Sequence, residues 1–249
     1  MSRDLVLVTG AAGAVGSEVV PLLRDRFRMR LMDRRRVRPA ADDEVIRGDV
    51  RRRGVMRRAC RGVAGVVHLA AVTGEWGSRR LHRRLLSVNG MGTLTVLEAC
   101  RLEGIPKVVL ASTARTVIGY PDDVVVTPDM PPRPVSVYAS TKVFGDALGR
   151  HYADGHDMSV ICLRIGRFGR TRAASEPPDA LRRWCTPEDL AELIVLAIGT
   201  DLRYGVLFAV SDGSARFDDS AVRDLLRPGT RPRTRAEPAA GGLRPGGRA

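Results

Sequence analysis

The chain has 249 residues, and its 41 Lys and Arg residues against 28 Asp and Glu residues give a formal net charge of +13. Its length allows one large α/β domain or two small ones. The content of 44% apolar and 4% aromatic residues is sufficient for a buried core, which excludes a chain disordered throughout, a collagen and a coiled coil. The longest uncharged apolar stretches, such as residues 63–72, are shorter than the roughly 20 residues of a membrane span.

The positive charge is carried almost entirely by arginine. Lysine occurs only at Lys107 and Lys142, so 39 of the 41 basic residues are arginine. Such a uniform choice indicates a coding bias that places arginine at ordinary surface positions. A solvated surface is therefore favoured over a polyanion-binding one, and nucleic acid is an unlikely partner.

The cysteines and histidines give no pattern of a metal site. The four cysteines are far apart and form no Cys-x-x-Cys pair, so neither a disulfide framework nor a zinc site is expected, and the four histidines share no metal-ligand spacing. Residues 1–4 lead directly into an apolar run with no room for a signal peptide, which predicts a cytoplasmic protein. The residues in question are Cys60, Cys100, Cys162, Cys185, His68, His82, His151 and His156.

Short β-branched runs alternate with helical patterns along the chain. Strands are predicted at 5–8, 30–33, 44–47, 63–70, 107–111, 158–164 and 205–210, and helices at about 14–27, 51–61, 80–102, 137–152 and after residue 187. This order predicts an α/β fold with a Rossmann-type, doubly wound parallel sheet of about seven strands and helices on both faces. We expect a single domain over 1–227, with a small substrate-binding portion at about 165–227, and a disordered Arg/Pro/Gly-rich tail at 228–249.

The first strand is followed by a glycine-rich turn. Thr9-Gly10-Ala11-Ala12-Gly13-Ala14-Val15-Gly16 has the spacing G-x-x-G-x-x-G between a strand and a helix. Glycines there let the backbone turn sharply and approach a pyrophosphate, which the helix N-terminus then binds. The spacing predicts dinucleotide binding by Gly10, Gly13, Ala14, Val15 and Gly16.

The end of the second strand bears on which dinucleotide is bound. Asp33 is placed to accept hydrogen bonds from the adenosine ribose, which favours NAD(H). Arg34, Arg35 and Arg36 follow directly, and each of the three is a candidate to clamp a 2′-phosphate, which keeps NADP(H) as the alternative. Asp49 and Val50, after the third strand, are expected near the adenine.

Tyr138 and Lys142 lie one turn apart on a predicted helix. A phenol with a pKa near 10 is a poor acid or base at neutral pH, and an ammonium beside it favours the phenolate. The pair is therefore predicted to transfer a proton, with Lys142 lowering the pKa of Tyr138. The fifth strand ends at Ser112-Thr113, and either hydroxyl is a candidate to hold a substrate oxygen.

Together these motifs resemble the short-chain dehydrogenase/reductase superfamily, and in particular its extended, epimerase/dehydratase-like branch. The resemblance covers roughly residues 5–210 in the family order. Within the branch, the 117–120 and 163–166 segments and Trp184 before Pro187 resemble the uronate dehydrogenases. The motifs are Gly10/Gly13/Gly16, Asp33, Asp49-Val50, His68-Leu69-Ala70-Ala71, Asn89, Ser112-Thr113, Tyr138/Lys142 and Leu163-Arg164-Ile165-Gly166.

This resemblance implies an NAD(P)-dependent oxidoreductase that interconverts a secondary alcohol and a ketone, or a lactol and a lactone, on a small polar cyclic substrate. It implies that Tyr138 is the acid/base, that Lys142 also binds the nicotinamide ribose, and that Thr113 or Ser112 orients the substrate oxygen. It also implies a homodimer through the helices at 80–102 and 137–152. Further implied contacts are Leu69, Ala70, Ala71, Asn89 and Ile165 with the cofactor, and Thr73, Thr113, Ala114, Arg115 and Arg167 with the substrate.

Three departures from the uronate dehydrogenases bear on the substrate. Ala114-Arg115 replaces an Asn-His pair, Asp179 replaces a carboxylate-binding arginine, and Arg167 replaces a small residue. They predict a substrate other than a hexuronic acid. The alternatives are a ketoreductase of a nucleoside-like or other biosynthetic ketone and, from another class, a non-catalytic dinucleotide sensor or nucleic-acid-binding protein, which would not need the Tyr138/Lys142 pair.

Overall fold

The computed structural model describes residues 3–74, 77–171, 183–211 and 216–226, apart from the side chains of residues 223, 225 and 226. The predicted tail at 228–249 and Asp179 lie outside these residues.

Seven parallel strands form the central sheet, in the order β3-β2-β1-β4-β5-β6-β9. A separate pair, β7 (Arg167–Phe168) and β8 (Trp184–Cys185), is also parallel. The predicted doubly wound parallel sheet is confirmed. The seven strands are β1 (Leu5–Thr9), β2 (Arg28–Asp33), β3 (Glu44–Arg47), β4 (Gly65–His68), β5 (Lys107–Thr113), β6 (Ser159–Ile165) and β9 (Tyr204–Ala209).

The helices follow the predicted order with two differences. The helix predicted at 80–102 is not one regular helix, because a π-helical segment, Leu86–Met91, separates α3 from α4. Such π segments often occur at functional sites, and Asn89 lies in this one. The helices are α1 (Gly16–Leu23), α2 (Arg53–Cys60), α3 (Arg79–Leu85), α4 (Gly92–Leu102), α5 (Val137–Gly155), α6 (Pro187–Gly199) and α7 (Ser220–Leu226), of which α7 was not predicted.

The strands bury apolar side chains on both faces of the sheet, as the near-continuous apolar runs require. Val109 of β5 points to the face covered by α1 and α6. Val108 and Leu110 of the same strand point to the opposite face, where they pack with residues of α2, α4 and α5 such as Tyr152. Alternate residues of one strand therefore reach different layers.

The strand order reverses between β1 and β4. In a doubly wound sheet the crevice for a ligand opens at the carboxyl ends of the strands at such a point. Thr9 and His68 are the last residues of these two strands. In the part of the chain that the structure describes, no helix has the length and apolarity to cross a bilayer.

Candidate active site

The glycine-rich turn after β1 has a geometry that excludes side chains. Gly10 has a φ of +75°, and a Cβ there would lie 2.5 Å from the backbone nitrogen of Ala70. The N–H of Gly13 donates to the Gly10 carbonyl over 2.8 Å, while Gly16 packs against that same carbonyl at the start of α1. The turn thus presents bare backbone at the crevice, as pyrophosphate binding requires.

A cavity of about 670 Å³ lies along this turn, within the size range of ligand pockets. It brings together predicted residues from the ends of β1, β2, β3 and β4. The rest of the lining comes from Met32, Arg35, Gly48, Val72, Leu81, Arg84 and Val88. Sequence reasoning missed Leu81, Arg84 and Val88 because nothing in their spacing points to a ligand. The predicted residues that line it are Gly10, Gly13, Asp33, Arg34, Asp49, Val50, Leu69, Ala70, Ala71 and Thr73.

Other predicted cofactor residues do not line this cavity. Ala14 is exposed and Val15 is half-buried at the start of α1. Ile165 is buried at the end of β6, between Thr113 and Ala209 in the sheet register. Asn89 is buried behind the wall and bonds to the backbone of Val72.

The carboxylate of Asp33 is fixed by backbone donors. Its Oδ2 accepts from Ala12 N over 3.0 Å and its Oδ1 from Arg35 N over 2.8 Å. The remaining lone pairs are available to the hydroxyls of a ribose. Since these residues line the cavity and its glycines admit a close backbone approach, the site fits a nicotinamide adenine dinucleotide.

The arginines that follow Asp33 differ in position. The guanidinium of Arg35 contacts the Ala12 carbonyl and lies 3.7 Å from the Asp33 carboxylate. Arg34 is more than half exposed and lies 3.6 Å from Asp49. A hydrogen bond from Arg51, at 2.6 Å, lowers the pKa of Asp49 to about 2. This carboxylate is therefore ionised, and its negative charge is already paired with Arg51.

Tyr138 and Lys142 lie on successive turns at the start of α5. Ser136 Oγ accepts from Ala139 N over 3.1 Å and so caps this helix. The buried Lys142 donates from Nζ to the Ala111 carbonyl over 2.7 Å, and the same nitrogen is 6.0 Å from the centre of the Tyr138 ring. The helix thus brings the pair to the carboxyl end of β5.

The pKa values of this pair are shifted mainly by burial. Burial raises the pKa of Tyr138 to about 12, and the charge that opposes this is that of Arg115 rather than Lys142. Burial also lowers the pKa of Lys142 to about 8, although Asp146 favours its charged form. Desolvation therefore dominates the pKa of the phenol, and the lowering of this pKa by Lys142 stays a prediction.

Ser112 and Thr113 point to opposite faces of the sheet. Ser112 follows Leu110 on the α5 face and is paired in register with Arg164. Its buried Oγ forms no hydrogen bond of good geometry among the described residues, yet it is close enough to Asp146 to favour the carboxylate. Thr113 accepts from Arg115 N over 3.4 Å at the end of β5. Asp146 lies two turns beyond Tyr138 on α5, so Ser112 faces the helix two turns away from Tyr138.

The other predicted substrate residues occupy different positions. Ala114 is fully buried in the short 3₁₀ helix Ala114–Thr116. Arg167 is exposed at the start of β7, where its N–H donates to the Arg183 carbonyl over 2.7 Å. Trp184 is buried and packs against Gly169.

His68 is buried under the site as a neutral residue. Burial lowers its pKa to about 3, with a smaller contribution from the charge of Lys142. Its Nδ1 is 2.7 Å from Thr9 Oγ1 and its Nε2 is 3.1 Å from Thr93 Oγ1.

This His68 pKa predicts a loss of stability in mild acid. The unfolded chain takes up a proton below the ordinary pKa of 6.5 and the folded chain does not until about 3, so folded stability is fully present above 6.5 and falls as the pH drops. We expect the free energy of unfolding to decrease by about 1.4 kcal/mol per pH unit below that value. Urea titrations between about pH 5 and 6.5 measure this slope above the range in which acidic residues protonate. His68→Gln should reduce it, and an equal slope in that variant contradicts the assignment.

The parallel sheet, the switch-point cavity, the glycine-rich turn and the Tyr138/Lys142 helix define a dinucleotide-dependent oxidoreductase of Rossmann type. A family model described as the NAD dependent epimerase/dehydratase family matches residues 6–177, and the chain belongs to this family. It is accordingly an NAD-dependent enzyme.

Known proteins similar to this chain include two sugar dehydrogenases. It is 30% identical to the NAD-dependent glucose-6-phosphate dehydrogenase of Haloferax volcanii, over 85% of this chain and 87% of that protein. It is 29% identical to the uronate dehydrogenase of Pseudomonas syringae pv. tomato, over 89% and 79%. The crystal structure of uronate dehydrogenase from Agrobacterium tumefaciens superposes with a TM-score of 0.82 at 27% identity, over 94% of this chain and 86% of that chain.

Proposed function

We propose that this protein is an NAD-dependent dehydrogenase that interconverts a lactol and a lactone, or a secondary alcohol and a ketone, on a small cyclic sugar. The observation that carries the proposal is the buried Tyr138 phenol, which lies near the Lys142 ammonium and feels the charge of Arg115, on a helix that Lys142 ties to the Ala111 carbonyl of β5. The similarity to dehydrogenases of glucose 6-phosphate and uronate supports a sugar as the substrate.

In this proposal Tyr138 moves the proton of the substrate hydroxyl. When NAD is bound, it would accept the hydride from the substrate carbon. The phenol must lose its proton to act as a base, and Arg115 favours the phenolate. Lys142, bonded to the Ala111 carbonyl, presents an ammonium to the ribose hydroxyls.

Thr113 is the proposed hydroxyl that orients the substrate oxygen. It accepts a hydrogen bond from Arg115 N and keeps its own proton to donate. Ser112, the alternative, faces Asp146 on the sheet side of α5. We expect Thr113→Ala to reduce turnover and Ser112→Ala to leave it nearly unchanged, and the reverse order would reassign the role.

The substrate class is tested by following NADH formation with the purified protein on a panel of glucose 6-phosphate, glucuronate, galacturonate, L-arabinose and cyclic ketones. Oxidation of an aldose or a sugar acid supports the proposal. Turnover of cyclic ketones alone, with NADH consumed, would replace it with the ketoreductase alternative.

We also propose that Arg35, rather than Arg34, lets the cavity accept NADP(H) besides NAD(H). Its guanidinium stands beside Asp33 and offsets the repulsion between this carboxylate and a 2′-phosphate. We expect Arg35→Ala to weaken NADP binding by on the order of tenfold, since a charge-assisted hydrogen bond is lost, and NAD binding much less. Calorimetric titration with both dinucleotides measures this, with the exposed Arg36→Ala as the control. An equal effect on both dinucleotides contradicts the proposal.

A homodimer through α3–α4 and α5 is proposed from an exposed apolar patch. Leu86, Met91 and Phe144 are 59%, 57% and 47% exposed, and Phe144 packs beside Gly90, which joins the two helices into one surface. Phe144→Glu should convert the dimer into a monomer in analytical ultracentrifugation. Val45→Glu, at an exposed apolar position on β3, should leave the dimer intact. A monomeric wild type contradicts the proposal.

The cytoplasmic location also remains a proposal, which the four buried cysteine thiols without disulfides support.

A further inference from the structure

A string of buried polar groups runs beneath the cavity from the end of β1. His68 is 2% exposed and lies between Thr9, which is fully buried, and Thr93 on α4. Thr93 Oγ1 donates in turn to the Asn89 carbonyl over 2.6 Å. Both nitrogens of the imidazole are thus engaged inside the protein.

The proton positions along this string follow from the number of protons each group has. The single hydroxyl proton of Thr93 is used on the Asn89 carbonyl, so Thr93 Oγ1 can only accept from His68. His68 Nε2 therefore carries the proton, and Nδ1 accepts from the Thr9 hydroxyl. A charged His68 would present a second N–H to Thr9 and would lie near the ammonium of Lys142.

The string continues from Asn89 to the start of α5. Asn89 Nδ2 donates to Thr141 Oγ1 over 3.0 Å, and Thr141 Oγ1 donates to the Tyr138 carbonyl over 2.6 Å. The same Asn89 amide exchanges hydrogen bonds of 2.9 and 2.8 Å with the backbone of Val72, which lines the cavity. His68 and Thr93 therefore link the end of β1, just before the glycine-rich turn, to Asn89, whose side chain bonds both the cavity wall and the start of α5.

We propose that His68 is a positioning residue, which as the neutral Nε2–H tautomer fixes the Tyr138 end of α5 relative to the glycine-rich turn. This inference rests on the proposed role of Tyr138. His68 does not line the cavity, and both of its ring nitrogens are occupied, so it acts through other groups. Proton transfer depends steeply on the position of the phenol, whereas dinucleotide binding depends mainly on the turn and Asp33.

The first test uses Thr93→Val, which removes the hydroxyl that joins His68 to Asn89 at nearly constant volume. The matched control is Thr95→Val on the same helix, whose hydroxyl makes the same type of bond to the Met91 carbonyl over 2.8 Å but lies outside the string. We expect Thr93→Val and His68→Phe to lower kcat on the order of tenfold or more with the KM for NAD nearly unchanged. Thr95→Val should behave like wild type, and His68→Gln, which keeps a donor toward Thr93, should recover part of the rate. Wild-type kcat in Thr93→Val overturns the proposal.

The second test needs no substrate. In the NAD complex of protein labelled with ¹⁵N-histidine and ¹³Cζ-tyrosine, His68 should show a protonated Nε2 and an unprotonated Nδ1 at neutral pH. The Tyr138 resonance, assigned with Tyr138→Phe, should titrate at a different pH in Thr93→Val and at an unchanged pH in Thr95→Val. A protonated Nδ1, or the same Tyr138 titration in both variants, overturns the proposal. If Tyr138→Phe keeps its turnover, the proposed function fails, and these spectra still decide the role of His68.

Discussion

Tyr138→Phe should abolish turnover while leaving the affinity for NAD nearly unchanged. The substitution removes only the phenolic oxygen, which in the proposed mechanism is the group that takes the substrate proton. General acid–base catalysis contributes roughly 10²- to 10⁴-fold to the rate, so we expect kcat to fall by at least about 10²-fold. The loss is measured with the best substrate of the sugar panel, and NAD affinity is measured by titration calorimetry.

The matched control for this variant is Tyr120→Phe. Tyr120 is partly buried, and its hydroxyl donates to the Pro131 carbonyl over 2.8 Å at the surface. The same chemical change there should leave kcat within about twofold, as is usual for surface substitutions. Tyr138→Phe protein that is folded, binds NAD and turns over at the wild-type rate would falsify the assignment of Tyr138 as the acid/base.

Asp146→Asn should be among the most destabilising single substitutions in the protein. Asp146 and Arg164 form an ion pair of 3.3 Å with side chains only 9% and 4% exposed, and Arg164 also donates to the Pro128 carbonyl over 3.0 Å. Burial raises the pKa of Asp146 even though Arg164 opposes this. Removal of the carboxylate leaves a buried guanidinium without its counter-charge, which costs about 3 to 5 kcal/mol of unfolding free energy.

A second ion pair on the same helix provides the control. Asp154 and Arg150 are 2.6 Å apart but 57% and 61% exposed, and Asp154→Asn should cost about 0.5 kcal/mol or less because water screens such a pair. The double variant Asp146→Asn with Arg164→Met removes both buried charges and should recover much of the stability. Urea unfolding of the three variants measures the differences. Equal losses for Asp146→Asn and Asp154→Asn would show that Arg164 finds solvent or another partner.

The element order could be predicted because the inner strands of a parallel sheet are apolar on both sides. The run at 107–111 and the β-branched residues at 5–8 indicate buried strands without knowledge of their neighbours. The bounds of β3, Glu44–Arg47, agree with the prediction. The π segment at Leu86–Met91 could not be predicted, since its apolar residues are compatible with an ordinary helix and the bonds of its Asn89 reach Val72 and Thr141, which are distant in the chain.

The cofactor-binding residues could be predicted from the sequence better than the electrostatics of the catalytic pair. Gly10, Gly13 and Asp33 are fixed by local backbone requirements, and the structure places all three along one cavity. The positions of Arg34 and Arg35 relative to Asp33 depend on side-chain packing, so the sequence alone left both arginines as candidates. The electrostatics of Tyr138 depend on Arg115 and on burial, neither of which is encoded in the Tyr-x-x-x-Lys spacing.

The sequence by itself determined that this protein has a glycine-rich, dinucleotide-type turn and a Tyr138/Lys142 pair on one helix, because both depend on local spacing. Only the tertiary structure decided which face Ser112 and Thr113 occupy, that Lys142 bonds to a carbonyl of β5, and that His68 links β1 to α5. Those features join residues far apart in the chain, and their energies depend on burial, which no local pattern specifies.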